Sequence, residues 1–208
     1  MIASAWRAAW RERSFRIGLV IAVMALVAFT IGLPIFFQHI DAKQGRILND
    51  PLLSAIGPFD VTWITFTVLY ATMACSIARA LRDPWLILRG LFAYALMMIL
   101  RVIAMEIFTL EPPPDIIPLI DPMTSIFYPN GTPFLKDLFF SGHTATLALM
   151  VCISRGRIER VTAIIATIVV GALVIVQHVH WTVDVLAAPV FVWIAWKGSV
   201  LTLRACGQ

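Results

Sequence analysis

Charge is scarce in this sequence. Lys, Arg, Asp and Glu make up 13% of its 208 residues, and hydrophobic residues make up 60%. Soluble globular domains carry about 25% charged residues, so the soluble classes are excluded at the level of composition. Cysteine is scarce too. Cys75, Cys152 and Cys206 form no CxxC pair and no disulfide framework. The chain has no internal repeat and no low-complexity tract. No small-residue cleavage site follows the first apolar run, so that run reads as a retained helix rather than a signal peptide.

Long apolar runs are what the sequence does have. They cover Phe15–Phe37, Phe59–Ala80, Trp85–Leu110, Leu138–Ile153, Val161–Gln177 and about Trp181–Leu203. A membrane-spanning helix needs about 20 mainly apolar residues. The pattern therefore predicts an all-α, polytopic membrane protein: one integral membrane domain over 1–208, with a bundle of six transmembrane helices. Residues 1–14 precede the first run. There, Trp6 and Trp10 are four apart beside Arg7, Arg11 and Arg13, which fits either a short interfacial helix or a disordered basic tail.

The net charge of +4 does not point to nucleic acid, because the basic residues are segregated by segment. Twelve of the 16 Lys and Arg lie at the two termini, between the second and third runs, or between the fourth and fifth. Only Lys43, Arg46 and Lys136 lie in the alternate connections, and Arg101 falls inside a run. Positive residues stay on the cytoplasmic side. Both termini are thus expected to be cytoplasmic, and the loops at 38–58, 111–137 and near 178–180 external. Residues 111–133 hold seven of the twelve prolines, which predicts an irregular external loop over 111–137. Its apolar residues suit either a packed connection or a lid.

Two short strings carry chemistry. Ser141-Gly142-His143-Thr144 stands at the start of the fourth run, and His180 precedes Asp184 by one helical turn. Arg101 lies 12 residues beyond Arg89, His143 lies 12 before Arg155, and Asp184 lies 13 before Lys197. At ~1.5 Å per residue each is roughly 18–20 Å from its basic anchor. Three helices thus put polar groups at one depth, in the outer third of a hydrocarbon core about 30 Å thick. Ionisable groups at that depth are functional candidates because burying them is costly.

The residue types suit phosphate. A helix start favours an anion, and Gly142 lets a backbone come close to a bound group. The planar fork of Arg101 suits phosphate oxygens. Arg101, Ser141, Gly142 and Thr144 are the candidate substrate-binding residues. His180, oriented by Asp184, is the candidate nucleophile, and His143 the candidate general acid and base. Asp137 reads either as a helix-start acid or as a carboxylate that holds His143. His178 reads as structural, and His39 as a loop residue with no visible partner. The chemistry needs no cofactor, and no zinc-type spacing motif is present.

Asp137-x3-Ser141-Gly142-His143-Thr144 and His180-x-Thr182-x-Asp184-Val185 resemble the third and fourth motifs of the sphingomyelin synthase family. That family lies within the type 2 phosphatidic acid phosphatase superfamily. The resemblance extends from about Asn49 and includes Arg89, Tyr94 and Arg101. It implies an external His/His/Asp site that cleaves a lipid phosphodiester. His143 would serve the leaving group, His180 with Asp184 would form the nucleophilic pair, and Asp137 would be an accessory acid. There are departures: Leu135-Lys136 replaces the usual Cys-Gly, Trp181 replaces the usual Tyr, and the phosphatase KxxxxxxRP motif is absent.

The expected function is transfer of a phospho-head group through a phosphohistidine to a lipid alcohol (ceramide or diacylglycerol) or to water. The expected partners are membrane lipids. A lipid phosphate or diphosphate phosphatase is the alternative enzyme. A non-catalytic lipid-binding or transport protein is the alternative of another class.

Overall fold

A computed structural model describes residues 2–121 and 134–206. It is helical, and among the described residues the only β feature is an isolated bridge between Arg46 and Leu110. The helices are α1 (Ile2–Arg11), α2 (Arg13–Asp41), α3 (Pro51–Ala55), α4 (Thr62–Ala80), α5 (Pro84–Ile107), α6 (Gly142–Ile153), α7 (Arg157–Val176) and α8 (Thr182–Ala205).

Local chemistry sets several boundaries. The Asp83 carboxylate accepts from the Trp85 and Leu86 N–H groups, with Pro84 in the first turn of α5. Asp50 does the same for α3, ahead of Pro51. A carboxylate at the N-cap followed by proline is a strong helix start, because proline has no N–H to leave unpaired.

Five of the helices (α2, α4, α5, α7 and α8) are long and apolar enough to cross a membrane, and they mark an integral membrane protein. The fourth expected span is different. α6 has only 12 residues, about 18 Å at 1.5 Å per residue, which is short of the ~30 Å hydrocarbon core. The expectation of six spanning helices thus holds for five. The missing length lies at the front: residues 138–141 are not helical, and the helix begins only at Gly142. α6 is apolar all round and buried on nearly every face, from Thr144 and Ala145 through Leu147 to Met150 and Ile153. Such a helix belongs inside the protein, and it packs on α4, α7 and α8. Gly171 of α7 lets α8 come close, because a Cβ there would stand 2.8 Å from Val185 Cγ1. α5 packs mainly on α2 and α8.

α1 is a helix rather than a disordered tail. Its Trp6 indole donates to the Leu81 carbonyl at 2.7 Å. Ala9 is buried with Phe15, Leu88 and Leu203, which brings both termini to one end of the bundle. Large outward residues such as Ile31, Ile35 and Leu186 leave an apolar exterior suited to lipid.

No helix or strand occurs over 111–121 or 134–141, the described parts of the proline-rich segment. Pro122, Pro129 and Pro133 lie outside the described residues, as do Ile126 and Phe127. The described part is packed against the end of α7: Ile117 N–H donates to the Gln177 carbonyl, and the Trp181 indole donates to the Glu111 carbonyl. His178 has a left-handed φ of 56° and bonds the carbonyls of Ile56 and Pro114. It is therefore structural, as expected. His39 differs from its expectation: α2 continues past Pro34 to Asp41, and His39 faces Glu106 at 3.2 Å.

Candidate active site

The site begins where α6 and α8 begin. Ser141 is the N-cap of α6, and its hydroxyl accepts from Thr144 N–H and Thr144 Oγ1. Its own N–H donates to the Asp184 carbonyl at 3.1 Å, so the two helix starts are tied together. Both Ser141 and Thr144 are buried and do not line the cavity. Their hydroxyls are engaged with each other at the helix cap.

His180 precedes α8. Its Nδ1 lies 3.4 Å from Asp184 Oδ2, and the same oxygen accepts the Trp181 N–H at 3.1 Å. Asp184 thus caps α8 and orients the imidazole at once. It is fully buried, and its second oxygen has no hydrogen-bond partner among the described residues. His143 follows Gly142 in the first turn of α6. Its ring meets that of His180 edge-on with centroids 6.1 Å apart, and the ring centroid of Phe66 lies 5.8 Å away. His143 Nδ1 is likewise buried without a partner among the described residues.

Arg101 reaches the same place from α5. It is 3% exposed, donates to the Phe140 carbonyl, and forms an ion pair with Asp137. Among the described residues Asp137 is the ion-pair partner of Arg101, and no hydrogen bond joins it to His143. Gly142 matters for a reason the sequence did not reveal. A Cβ at this position would stand 2.9 Å from Arg101 Nη1 and 3.1 Å from Cζ, so the guanidinium lies directly on the start of α6.

These groups border one cavity of about 650 Å³. Arg101, Asp137, Gly142, His143 and His180 line one part of it, with Tyr70 and Asp121, which are hydrogen-bonded to each other. Leu, Phe and Met side chains of α2, α4 and α5 line the rest. A second cavity of about 780 Å³ lies at the end that carries the termini, and no histidine lines it. Its Arg79, Arg82 and Arg155 are matched by Glu12, Asp83 and Glu159.

Sequence reasoning missed three supports. Asp50 Oδ2 accepts the Thr182 N–H at 2.7 Å, and Oδ1 accepts the Thr182 hydroxyl at 3.0 Å. Burial opposes the charged form of Asp50, but the donations from Thr182, Leu53 and Leu52 outweigh it and hold the carboxyl below its ordinary range. Lys136, at a departure from the family pattern, pairs with Glu111 at 2.8 Å and donates to the Lys43 carbonyl. That ammonium, with the Gly45 N–H, holds the Glu111 carboxyl low. The third support is the Tyr70–Asp121 pair. Nothing in the local sequence marks it, because its partners are 51 residues apart.

Residues 136–199 match the family model described as PAP2 superfamily C-terminal. The matched stretch contains Asp137, His143, His180 and Asp184 but not Arg101. It covers less than half of the chain and supports the PAP2 superfamily and an enzyme acting on phosphate esters. No curated protein and no solved structure matches the chain.

Proposed function

We propose that this protein is a membrane lipid phosphotransferase of the sphingomyelin synthase type. It cleaves a phospholipid head group through a phosphohistidine and passes the phosphoryl group, with its substituent, to a lipid alcohol or to water. The observation that carries this reading is the pair of neighbouring histidines, 6.1 Å apart, in a cavity that is ionic in one part and apolar in the rest.

With Nδ1–H of His180 donating to Asp184, the lone pair is on Nε2. That nitrogen attacks phosphorus, forming a P–N bond as the P–O bond to the leaving lipid breaks. His143, protonated with the anionic substrate bound, gives its proton to the departing oxygen. In the second half His143, now neutral, takes the proton of the incoming hydroxyl. The new oxygen attacks phosphorus, the P–N bond breaks, and His180 is restored. Arg101 stabilises charge on the non-bridging oxygens. Asp184 touches no reacting atom and acts by positioning His180.

The charge of the site favours a phosphodiester. Arg101 is the one Lys or Arg among the described lining residues, and Asp137 already pairs with it. A diester monoanion suits that balance better than a monoester dianion, because an uncompensated second charge in a dehydrated site is costly. This supports the transferase or phospholipase C-like reading over the phosphatase.

The test is product analysis by mass spectrometry. Purified protein in vesicles is incubated with a panel of phospholipids, with and without ceramide or diacylglycerol. The expected result is free phospho-head group without acceptor and a new phospholipid with it. Exclusive use of water with phosphomonoesters as preferred donors would establish a lipid phosphatase instead.

A further inference from the structure

We infer that the space between α2 and α4 is a groove for one hydrocarbon chain of the substrate, which slides in sideways from the bilayer. This rests on the proposed action on lipid phosphoesters. It adds where the apolar part of the lipid goes and how much of it fits.

α2 is fastened to the bundle at its two ends and not between them. Near its start, a Cβ on Gly18 would stand 3.1 Å from Leu88 Cδ2 and 3.6 Å from Phe92, and Ala22 is fully buried. Near its end, Phe37 stacks on Phe134 at 4.6 Å, and Ile40 is buried with Met105. His39 and Lys43 pair there with Glu106. None of residues 23–36 is buried. Leu33 and Phe36 pack partly against the Phe37 cluster, so the loosely packed stretch from Ala22 to Leu33 is about 16 Å long at 1.5 Å per residue.

The inner face of that stretch is apolar and periodic. Leu26, Phe29 and Leu33 recur at helical spacing and line the cavity. Across from them α4 presents Leu69 and Met73, and α5 presents Met97 and Met98. α2 packs on α5, while α4 packs on α6 and α7. Where α2 and α4 would otherwise meet, the cavity stands instead. Thr30 lines it yet is exposed, so the groove is open to the lipid side.

An apolar groove that ends on Arg101, His143 and His180 is complementary to an amphiphile with an anionic head and a hydrocarbon chain. The groove runs along the loosely packed stretch of α2, a length that one extended hydrocarbon chain spans, and the second chain of a two-chain lipid stays in the bilayer outside α2 and α4. Methionines on two walls adapt to different chain shapes, so saturated and unsaturated chains are both accepted.

Photo-crosslinking tests this without needing turnover. The protein is reconstituted in vesicles with a phospholipid that carries a diazirine midway along one acyl chain, and adducts are mapped by mass spectrometry. Adducts are expected at Leu26, Phe29, Leu33, Leu69 and Met73. A single-chain phosphodiester, a long-chain alkyl methyl phosphate, should compete them away, and butyl methyl phosphate should not. Met73→Trp, and Thr30→Trp from the opposite wall, should each lower the cavity adducts at least fivefold. Adducts confined to outward residues such as Ile31 and Ile35, or cavity adducts that a single-chain competitor cannot displace, would overturn the inference. A protein that shows cavity adducts but transforms no phosphoester would keep the groove and lose the proposed function.

Discussion

His143 and His180 differ in what holds them, and that difference suits the roles proposed for them. His180 is fixed by a buried carboxylate at 3.4 Å, whereas His143 has no hydrogen-bond partner on Nδ1 among the described residues. A nucleophile needs a fixed tautomer, and a proton shuttle needs to change its own. His180→Ala is therefore expected to abolish the acid-labile phosphoenzyme, read as ³²P retained on the protein. Asp184→Asn keeps the shape and slows the same step. His143→Ala should lower turnover by about 10²–10⁴-fold for a lipid alkoxide leaving group and far less for a nitrophenolate, which departs without a proton. Equal losses for both leaving groups would remove His143 from the acid role. Arg101 supplies the second residue-scale prediction. Gly142→Ala would push the guanidinium off the start of α6, since the new Cβ would stand 2.9 Å from Nη1. The expected effect is a loss of kcat/KM of tenfold or more, with the fold retained by circular dichroism. Arg101→Lys should lower activity to a similar extent, because an ammonium cannot make the forked contact with phosphate.

Among the elements, α3 shows how a remote segment holds the site. Asp50 caps α3 and also binds the first turn of α8 through the N–H and hydroxyl of Thr182. Thr182 lies midway between His180 and Asp184, so this one carboxylate anchors the proposed nucleophilic pair. Its folded pKa is below the ordinary 3.8. The anchoring is therefore fully present above the ordinary value and is lost as pH falls through the depressed one. Asp50→Asn should remove that part of the acid sensitivity, seen as a flatter fall of thermal stability below about pH 4. It should also broaden the His180 geometry, seen as a slower phosphoenzyme step at neutral pH. An unchanged acid profile would show that Asp50 does not act through Thr182. Locally Asp50-Pro51 is a helix start, but the Thr182 contact spans 132 residues. Periodicity and composition located the apolar helices because those signals are local. They could not show that Asp137 pairs with Arg101 rather than His143, because that choice depends on how α5 packs beside the start of α6. They also overestimated α6: residues 138–140 are apolar enough to continue a helix, yet Leu138 and Phe140 are buried as loop residues beneath the site.

At the scale of the whole molecule, polarity runs along the bundle. Both termini gather at one end, together with Arg79, Arg82 and Arg155, and the histidines precede helices that run back toward it. Segregated basic residues orient membrane proteins with the basic end in the cytoplasm, so His143 and His180 are predicted to lie toward the external leaflet. Single cysteines in a background lacking Cys75, Cys152 and Cys206 test this. Gln44→Cys and Asp115→Cys, both at exposed positions beyond the histidine end, should react with an impermeant maleimide in intact cells. Arg157→Cys, at the basic end, should react only after permeabilisation. The orientation also decides which lipids can serve as acceptors, since a chain that slides in between α2 and α4 comes from the leaflet at the level of Arg101. If Arg157→Cys is the position labelled in intact cells, the site faces the cytoplasm. The donor and acceptor then have to be sought among lipids of the inner leaflet.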